Sequence, residues 1–472
     1  MAPVLWAAFS AMAVSAATAV QWPEGSAQAF VHLFEWSWED VATECEQWLG
    51  PKGFTAVQIS PANEHNSPGD QGNSWYLRYQ PVSYKLVSWS GNKSQFESMV
   101  KRCKAVGVGV YADAVINHQA PYSGVGVAGS HFGDRHYPLY SPEDFHHIAG
   151  NTSINCGVSN YDDLYNVQHC DLAGLPDLCT ECPEVQQKIA DYINHMAEIG
   201  IAGIRVDAAK NMNAADLHQV LARVNRSLFV FQEVVYGGAV QASMYYDNGP
   251  VSVFGYGSAL GPKFLYEGQL REDLASFGET WGLGPQAKAV VFMDNHDTQR
   301  GDAQLTYKTN WEAYRLANIF MLAHPYGYPR IMSSYAFDYA DQPPPGVPVH
   351  KANGQLNCWP GPWVCEHRNI AIANMVAWRR SAGALAISWL HTAGNMLAFC
   401  RGDKACVALN RGGQTWEVTL QNTLKAGAYC DVIQSDDVGC PSIHVGSDGS
   451  AQLRVPPRGA VAFHVGALKR LV

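Results

Sequence analysis

Short apolar runs recur along the chain before Leu385, and each breaks off into polar residues: "AFVHLFEW", "FTAVQISP", "VGVYADAVINH", "IAGIRVDAA", "LFVFQEVV", "AVVFMDNHD" and "YPRIMSSY". Their shortness and their β-branched and aromatic content predict buried strands. Between several of them lie stretches with helical spacing of apolar positions, such as "SQFESMVKRCKAVG" and "CPEVQQKIADYINHMAEIG". Both end in glycine, a common helix stop. Buried strands alternating with helices predict an α/β fold with a parallel, helix-covered sheet. Because the polar residues gather at the C-terminal ends of the strands, the pattern fits a (β/α)8 barrel, whose catalytic groups sit on that rim.

The alternation breaks twice. From His118 to Asp177 the chain is rich in Gly, Tyr, His, Asp and Asn, which predicts an inserted irregular subdomain after the third strand. After about Leu385, "MLAFCRGDKACVALNR", "TWEVTLQN", "GAYCDVIQ" and "GAVAFHV" read as strands joined by turns, a C-terminal antiparallel β-sandwich. The expected layout is a barrel in two parts, 20–117 and 178–384, an insert at 118–177 and the sandwich at 385–472. The start is apolar from Val4 to Ala17 and ends in small residues, a secretory signal at 1–19 with cleavage expected between Ala16 and Val20. That run is shorter than the ~20 residues a membrane span needs.

Composition narrows the function. With 32 basic and 42 acidic residues the net charge is −10, which offers no electrostatic footprint for nucleic acid or an anionic membrane. Twelve cysteines, an even number, fit an oxidising compartment and a secreted, extracellular protein. Asn92, Asn151 and Asn225 stand in Asn-x-Ser/Thr triplets, acceptors for glycans in such a setting. A monomer is the default expectation.

The stretch "AVVFMDNHDTQRG" (289–301) runs from a buried strand straight into a cluster of carboxylates and a histidine. Three further strand ends behave alike: "DAVINH" (113–118), "GIRVDAAKN" (203–211) and "FQEVV" (231–235). In this order and spacing they resemble the α-amylase family of glycoside hydrolases, closest to its secreted animal and actinobacterial members. "FEWSWEDVATECE", "RYQPVSYKL", "MLAHPYG", "WVCEHR" and "YCDV" extend the resemblance over nearly the whole mature chain.

Glycoside hydrolysis usually requires one carboxyl as acid/base and another as nucleophile or base. The resemblance implies Asp207 as nucleophile, Glu233 as acid/base and Asp297 as the carboxylate that orients sugar hydroxyls and stabilises the transition state. Retention of configuration follows, with nucleophile and acid/base ~5–5.5 Å apart. By the same resemblance, His118 and His296 contact sugar hydroxyls, Trp75, Tyr76 and Tyr79 form a stacking platform, and Arg205 and Lys210 contact substrate. Asn211 stands where the animal pattern usually has histidine.

The resemblance also implies a structural calcium ion, with Asn117 and Asp177 as hard oxygen ligands and the backbone carbonyls of Gln168 and Asn211 completing the set. Arg205, Asn295 and Arg330 match the positions that hold an activating chloride. Two buried guanidinium groups would favour the ionised form of the general acid, and an anion between them offsets that. One departure is the segment after "DNHD", which reads "QRGDAQLTYKTN" where animal members carry a glycine-rich mobile loop.

For the cysteines, the resemblance implies the pairs Cys45–Cys103, Cys156–Cys170, Cys358–Cys365 and Cys430–Cys440. Cys400 and Cys406 flank the turn "RGDKA" and suit a cross-hairpin bond. Cys179 and Cys182 in "LCTEC" suit a local pair, with a redox-active pair or half a zinc site as the alternative. "GVGVAG" (124–129) fits a dinucleotide fingerprint but does not follow a strand or open a helix. "RGD" (401–403) resembles an adhesion tripeptide, for which a hairpin turn is the simpler account.

The expected function is endo-hydrolysis of internal α-1,4 bonds in starch, glycogen and maltooligosaccharides. The alternatives are an exo-acting, maltose-forming glucan hydrolase of the same clan and an inactive glucan-binding relative.

Overall fold

The computed structural model describes residues 28–67, 72–301, 303–437 and 439–469. The segment read as a secretory signal lies outside the described residues.

Eight parallel strands close a barrel in chain order: β1 (Phe30–Leu33), β2 (Ala56–Ile59), β3 (Gly109–Ala114), β4 (Gly203–Val206), β5 (Phe229–Gln232), β6 (Val251–Val253), β7 (Ala289–Val291) and β8 (Tyr328–Ser333), which returns to β1. Seven of them are buried at every position and β3 at all but its first, which explains their continuous apolar character.

Alternation along each strand then builds layers inside the barrel. Phe30, Ala56, Tyr111, Phe229, Phe231, Val290 and Tyr328 form one apolar cluster. The ring of Phe30 lies 4.7 Å from Tyr328 and 5.3 Å from Tyr111, so aromatic packing plugs the end where several strands begin. Two residues further along β1, β2, β3, β4 and β8 stand His32, Gln58, Asp113, Arg205 and Arg330, all buried. The barrel therefore changes from apolar to ionic within one side-chain layer, towards the rim where the strands end.

Helices wrap the outside. Asn92 caps helix Lys93–Ala105 in a reciprocal capping box with Gln95. Helix Pro183–Ile199 has proline in its first turn and ends at Gly200, whose φ of 113° is open to glycine but strained for other residues. Between β3 and that helix the insert forms a short ribbon, the helix Leu164–His169 and an ion pair of 2.6 Å between Arg135 and Asp171.

The C-terminal module is two antiparallel four-stranded sheets. Ile387–Thr392, Met396–Arg401, Ala405–Asn410 and Gly459–His464 form one. Trp416–Leu420, Ala451–Val455, Ser442–Val445 and Gly427–Cys430 form the other. A core including Leu420, Leu453 and Phe463 fills the space between them. The module docks on the barrel through helix Ile370–Ala382, whose Trp378 Nε1 donates to the carbonyl of Cys406 at 3.0 Å.

Six disulfides are formed: Cys45–Cys103, Cys156–Cys170, Cys179–Cys182, Cys358–Cys365, Cys400–Cys406 and Cys430–Cys440. Cys400 and Cys406 face each other in register across a hairpin. Cys179–Cys182 is thus a closed local pair. Two motifs lose their functional reading in the fold. Arg401 of "RGD" is fully buried, donating to the carbonyls of Leu385, Gly383 and Ala323, so no adhesion tripeptide is presented. "GVGVAG" begins in a ribbon pairing Gly124–Val125 with His131–Phe132 and opens no helix.

Candidate active site

At the C-terminal rim of the barrel lies a cleft of about 740 Å³, and Asp207, Glu233 and Asp297 all open into it. Asp207 directly follows β4, Glu233 directly follows β5, and Asp297 sits in the turn beyond β7. Strand ends deliver each carboxylate without a long, mobile loop.

One guanidinium holds two of them from below. Arg205 stands in register with Asp113 on the neighbouring strand, and its Nη1 lies 2.6 and 2.8 Å from the two Asp113 oxygens. The same Nη1 donates to Asp207 Oδ1 at 2.9 Å, while Nη2 lies 2.9 Å from Glu233 Oε1. The other Glu233 oxygen accepts the backbone N–H of Ala208 at 2.8 Å. Ala208 adopts φ 45°, a left-handed conformation that costs strain in a non-glycine residue and aims this N–H across the cleft.

Arg205, expected among the substrate contacts, is only 1% exposed and lies beneath the cleft floor. Its hydrogen bonds and ion pairs run to Asp113, Asp207 and Glu233, and its guanidinium lies 5.9 Å from the Tyr79 ring centroid.

Several carboxyls around so few cations cannot all ionise cheaply. Burial pushes the Asp207 and Asp113 carboxyls up, against the pull of Arg205. Burial and the Glu233 charge raise Asp297 to about 7, with Arg205 and Arg300 opposing. Burial thus favours the protonated form at Asp207, Asp113 and Asp297, while the guanidinium groups favour the ionised form.

Both expected sugar-binding histidines stand on the cleft wall. Burial holds His118 down to about 4, and burial together with Arg205 holds His296 well below the usual histidine value. Each is a neutral donor and acceptor at physiological pH. His118 Nε2 donates to the Tyr79 carbonyl at 2.9 Å, and its Nδ1 accepts from Asn117 at 3.3 Å. His296 stacks on Tyr79 at 5.1 Å, and its Nε2 lies 3.2 Å from Asp297 Oδ2.

Trp75, Tyr76 and Tyr79 share one short 3-10 turn, Trp75–Tyr79. Tyr76 is exposed, whereas the Tyr79 hydroxyl reaches down to Asp113 Oδ2 at 3.1 Å. Lys210 lines the cleft with its ammonium 4.7 Å from the Tyr161 ring centroid.

Three buried or caged residues join the site that the motif comparison passed over. Asp113 anchors Arg205; a carboxylate inside the apolar run "VGVYADAV" was its sequence signal, because a buried charge demands a partner. His32 is fully buried and held neutral by burial and by Arg330 and Arg205. Arg300 lies 4.4 to 5.2 Å from the rings of Phe337, Trp75, Tyr335 and Phe34. It also donates to the carbonyls of Ala340 and His296, tying the Asp297 turn to the aromatic wall. Nothing local in the sequence marks that cage.

Two ion cradles can be tested by their unpaired atoms. Asn117 Oδ1, Asp177 Oδ1 and Asn211 Oδ1 are buried without a hydrogen-bond partner. Asn117 uses its amide nitrogen on His118, which leaves the oxygen free. Asn211 uses its nitrogen on the Val167 carbonyl beside Gln168, the residue expected to present its own carbonyl. Burial pushes Asp177 up to about 7, so a divalent cation would strongly favour its ionised form. This oxygen set fits calcium.

The second cradle involves Arg205 and Arg330, which share one layer of the barrel. Arg330 Nη2 and Arg205 Nε are buried and unpaired, and burial and the Arg205 charge lower Arg330 to about 10. Asn295 Oδ1 accepts the N–H groups of Asp297 and Thr298, so its amide nitrogen is the group left to donate. Unpaired guanidinium donors fit a small anion.

The sequence matches the model of the alpha amylase catalytic domain over residues 47–250 and that of the alpha amylase C-terminal all-beta domain over 387–466. It is 41% identical over 470 residues to pancreatic alpha-amylase 2a5 of Mus musculus, covering 90% of this chain and 92% of that protein. With the alpha-amylase of Tribolium castaneum the identity is 42% over 472 residues, covering 93% and 94%. Its fold matches a mutant of alpha-amylase I from Eisenia fetida in complex with maltohexaose. That match has a TM-score of 0.86 at 34% identity and covers 94% of this chain and 98% of the other.

Proposed function

This chain belongs to the α-amylase family, and from that premise we propose that it is a secreted, endo-acting, retaining α-amylase of starch, glycogen and maltooligosaccharides. The observation that carries the reading is the convergence of Asp207 and Glu233 on Arg205 beneath an open, aromatic-walled cleft.

In the proposed reaction Asp207 attacks the anomeric carbon as Glu233 protonates the departing glycosidic oxygen. Glu233 then takes a proton from water as the water oxygen attacks the anomeric carbon and displaces Asp207, releasing the sugar with its configuration retained. Asp297, steered by His296, holds sugar hydroxyls as the ring flattens. Trp75 and Tyr76 supply faces for stacking, and neutral His118 and Lys210 supply polar contacts along the cleft.

Asn117, Asp177 and the carbonyls of Gln168 and Asn211 would hold calcium, which supplies a structural tie between insert and barrel. Arg205, Asn295 and Arg330 would hold chloride, which supplies negative charge beneath the acid/base. Supporting secretion, no cysteine is free among the described residues. No described helix is long and apolar enough to cross a membrane. Nothing in the charge balance favours nucleic acid, and the chain is read as acting as a monomer.

The experiment is hydrolysis of soluble starch in calcium-containing buffer, with and without chloride, followed by product sizing. A rapid fall in viscosity with mixed short products supports endo-cleavage. Maltose alone from the outset would point to the exo-acting alternative, and no turnover to a glucan-binding relative.

A further inference from the structure

Outside the cleft, His146, His169 and Glu181 bring one potential ligand atom each to within 4.8 Å of one another. Hydrogen bonding has already oriented both imidazoles. His146 Nδ1 lies 2.6 Å from Asp177 Oδ2, and His169 Nδ1 lies 3.2 Å from the Tyr165 carbonyl. Metal-binding histidines characteristically place their non-ligating N–H on a carboxylate or a carbonyl, which leaves the other nitrogen with its lone pair outward. Here that nitrogen is Nε2 in both rings. His146 Nε2 donates to Glu181 Oε2 at 2.8 Å, a proton that a bound ion would replace, and Tyr165 stacks on His169 at 4.3 Å, fixing the plane of its ring.

We propose that Nε2 of His146, Nε2 of His169 and the Glu181 carboxylate form a second metal site, for a zinc-class divalent ion. Two imidazoles and one carboxylate suit a borderline ion with water in the fourth position, whereas the all-oxygen cradle nearby suits calcium. The surroundings are acidic: Asp177 stands behind His146, and burial followed by the Glu181 charge raises the Asp216 carboxyl. Glu181 has 47% of its side chain exposed, so an ion has a path in.

The ion would act as a clip. His146 and His169 belong to the insert, and Glu181 to the turn that leads into helix Pro183–Ile199. His146 also links the site to Asp177, so the two metals would brace the same junction from adjacent positions. This site takes no part in the hydrolytic reading and stands or falls apart from it.

The test is titration of the calcium-saturated full-length protein with zinc chloride, with both metals counted by elemental analysis after desalting. One zinc per chain is expected with calcium content unchanged. His169→Gln and Glu181→Gln should each bind zinc at least tenfold more weakly and keep their calcium. Cobalt(II) in place of zinc should give the intense visible absorption of a four-coordinate centre, lost in His169→Gln. No stoichiometric zinc would overturn the proposal. So would loss of one calcium per zinc bound, or wild-type zinc affinity in both variants.

Discussion

Asp113 and Arg205 face each other in register on neighbouring barrel strands, both fully buried, and the guanidinium reaches both oxygens of the carboxylate. This pair aims the remaining Arg205 hydrogen bonds at Asp207 and Glu233. Asp113→Asn removes a negative charge that raises Asp207 and Asp297, so both carboxyls fall and the acidic limb of kcat/KM moves to lower pH. Breaking a buried pair also costs about 3–5 kcal/mol of stability. A pH profile on a short maltooligosaccharide and a melting curve check both; an unmoved acidic limb would refute the electrostatic part.

With Glu233 as the proposed acid/base, Glu233→Gln keeps the size of the side chain and removes the transferable proton. Turnover should fall by about 10²–10⁴, the usual share of general acid–base catalysis, with KM changed little. Steady-state kinetics on maltooligosaccharides decides this.

Arg330 has one guanidinium nitrogen on Gln58 at 3.1 Å and another buried without a partner. If that nitrogen serves an anion, Arg330→Gln should run equally fast with and without chloride, whereas wild type is stimulated. Activity after dialysis into chloride-free buffer is the readout. Stimulation that survives in the variant would assign the anion to other residues.

Glu44 joins the first helix, Trp38–Glu44, to a distant loop. Burial disfavours its charge, but bonds from His350 and His367, with Arg368, outweigh burial and hold its carboxyl well below the usual range. A carboxyl with a depressed folded-state pKa adds stability above its unfolded value, near ~4.3, and loses it as pH falls further. Glu44→Gln should therefore melt earlier near neutral pH and differ less from wild type in acid. Melting temperatures across that range test the sign.

If Asn117 and Asp177 hold calcium as proposed, chelation should loosen the insert first, because the ion would tie it to the barrel wall. Limited proteolysis in EDTA should cut within residues 118–177 before the C-terminal sheets, and added calcium should reverse this. Cleavage beginning in the C-terminal module would place the tie elsewhere.

How much of this was legible in sequence follows from the range of each interaction. The barrel strands announced themselves because burial on both faces requires an unbroken apolar run, and the helices because caps and periodicity are local. The cleft carboxylates were legible for a related reason: each directly follows an apolar run or its turn, so its place on the rim depends on the strand alone. Other features needed the closed barrel. Arg205 meets Asp113 from 92 positions away, and only strand register sets them side by side. Burial sets that guanidinium against Asp207 and Glu233 as well, beneath the cleft. Arg300 acquires its aromatic cage from Phe34, Trp75, Tyr335 and Phe337, which lie on three separate stretches of chain. His146, His169 and Glu181 share no motif spacing; the fold of the insert brings them together. Sequence alone determined which segments must be buried and which strand ends carry carboxylates, since those depend on neighbours in the chain. Which carboxyls burial shifts, which donors stay unpaired and which histidines face a common point were decided by tertiary structure, because electrostatic coupling depends on distance through space.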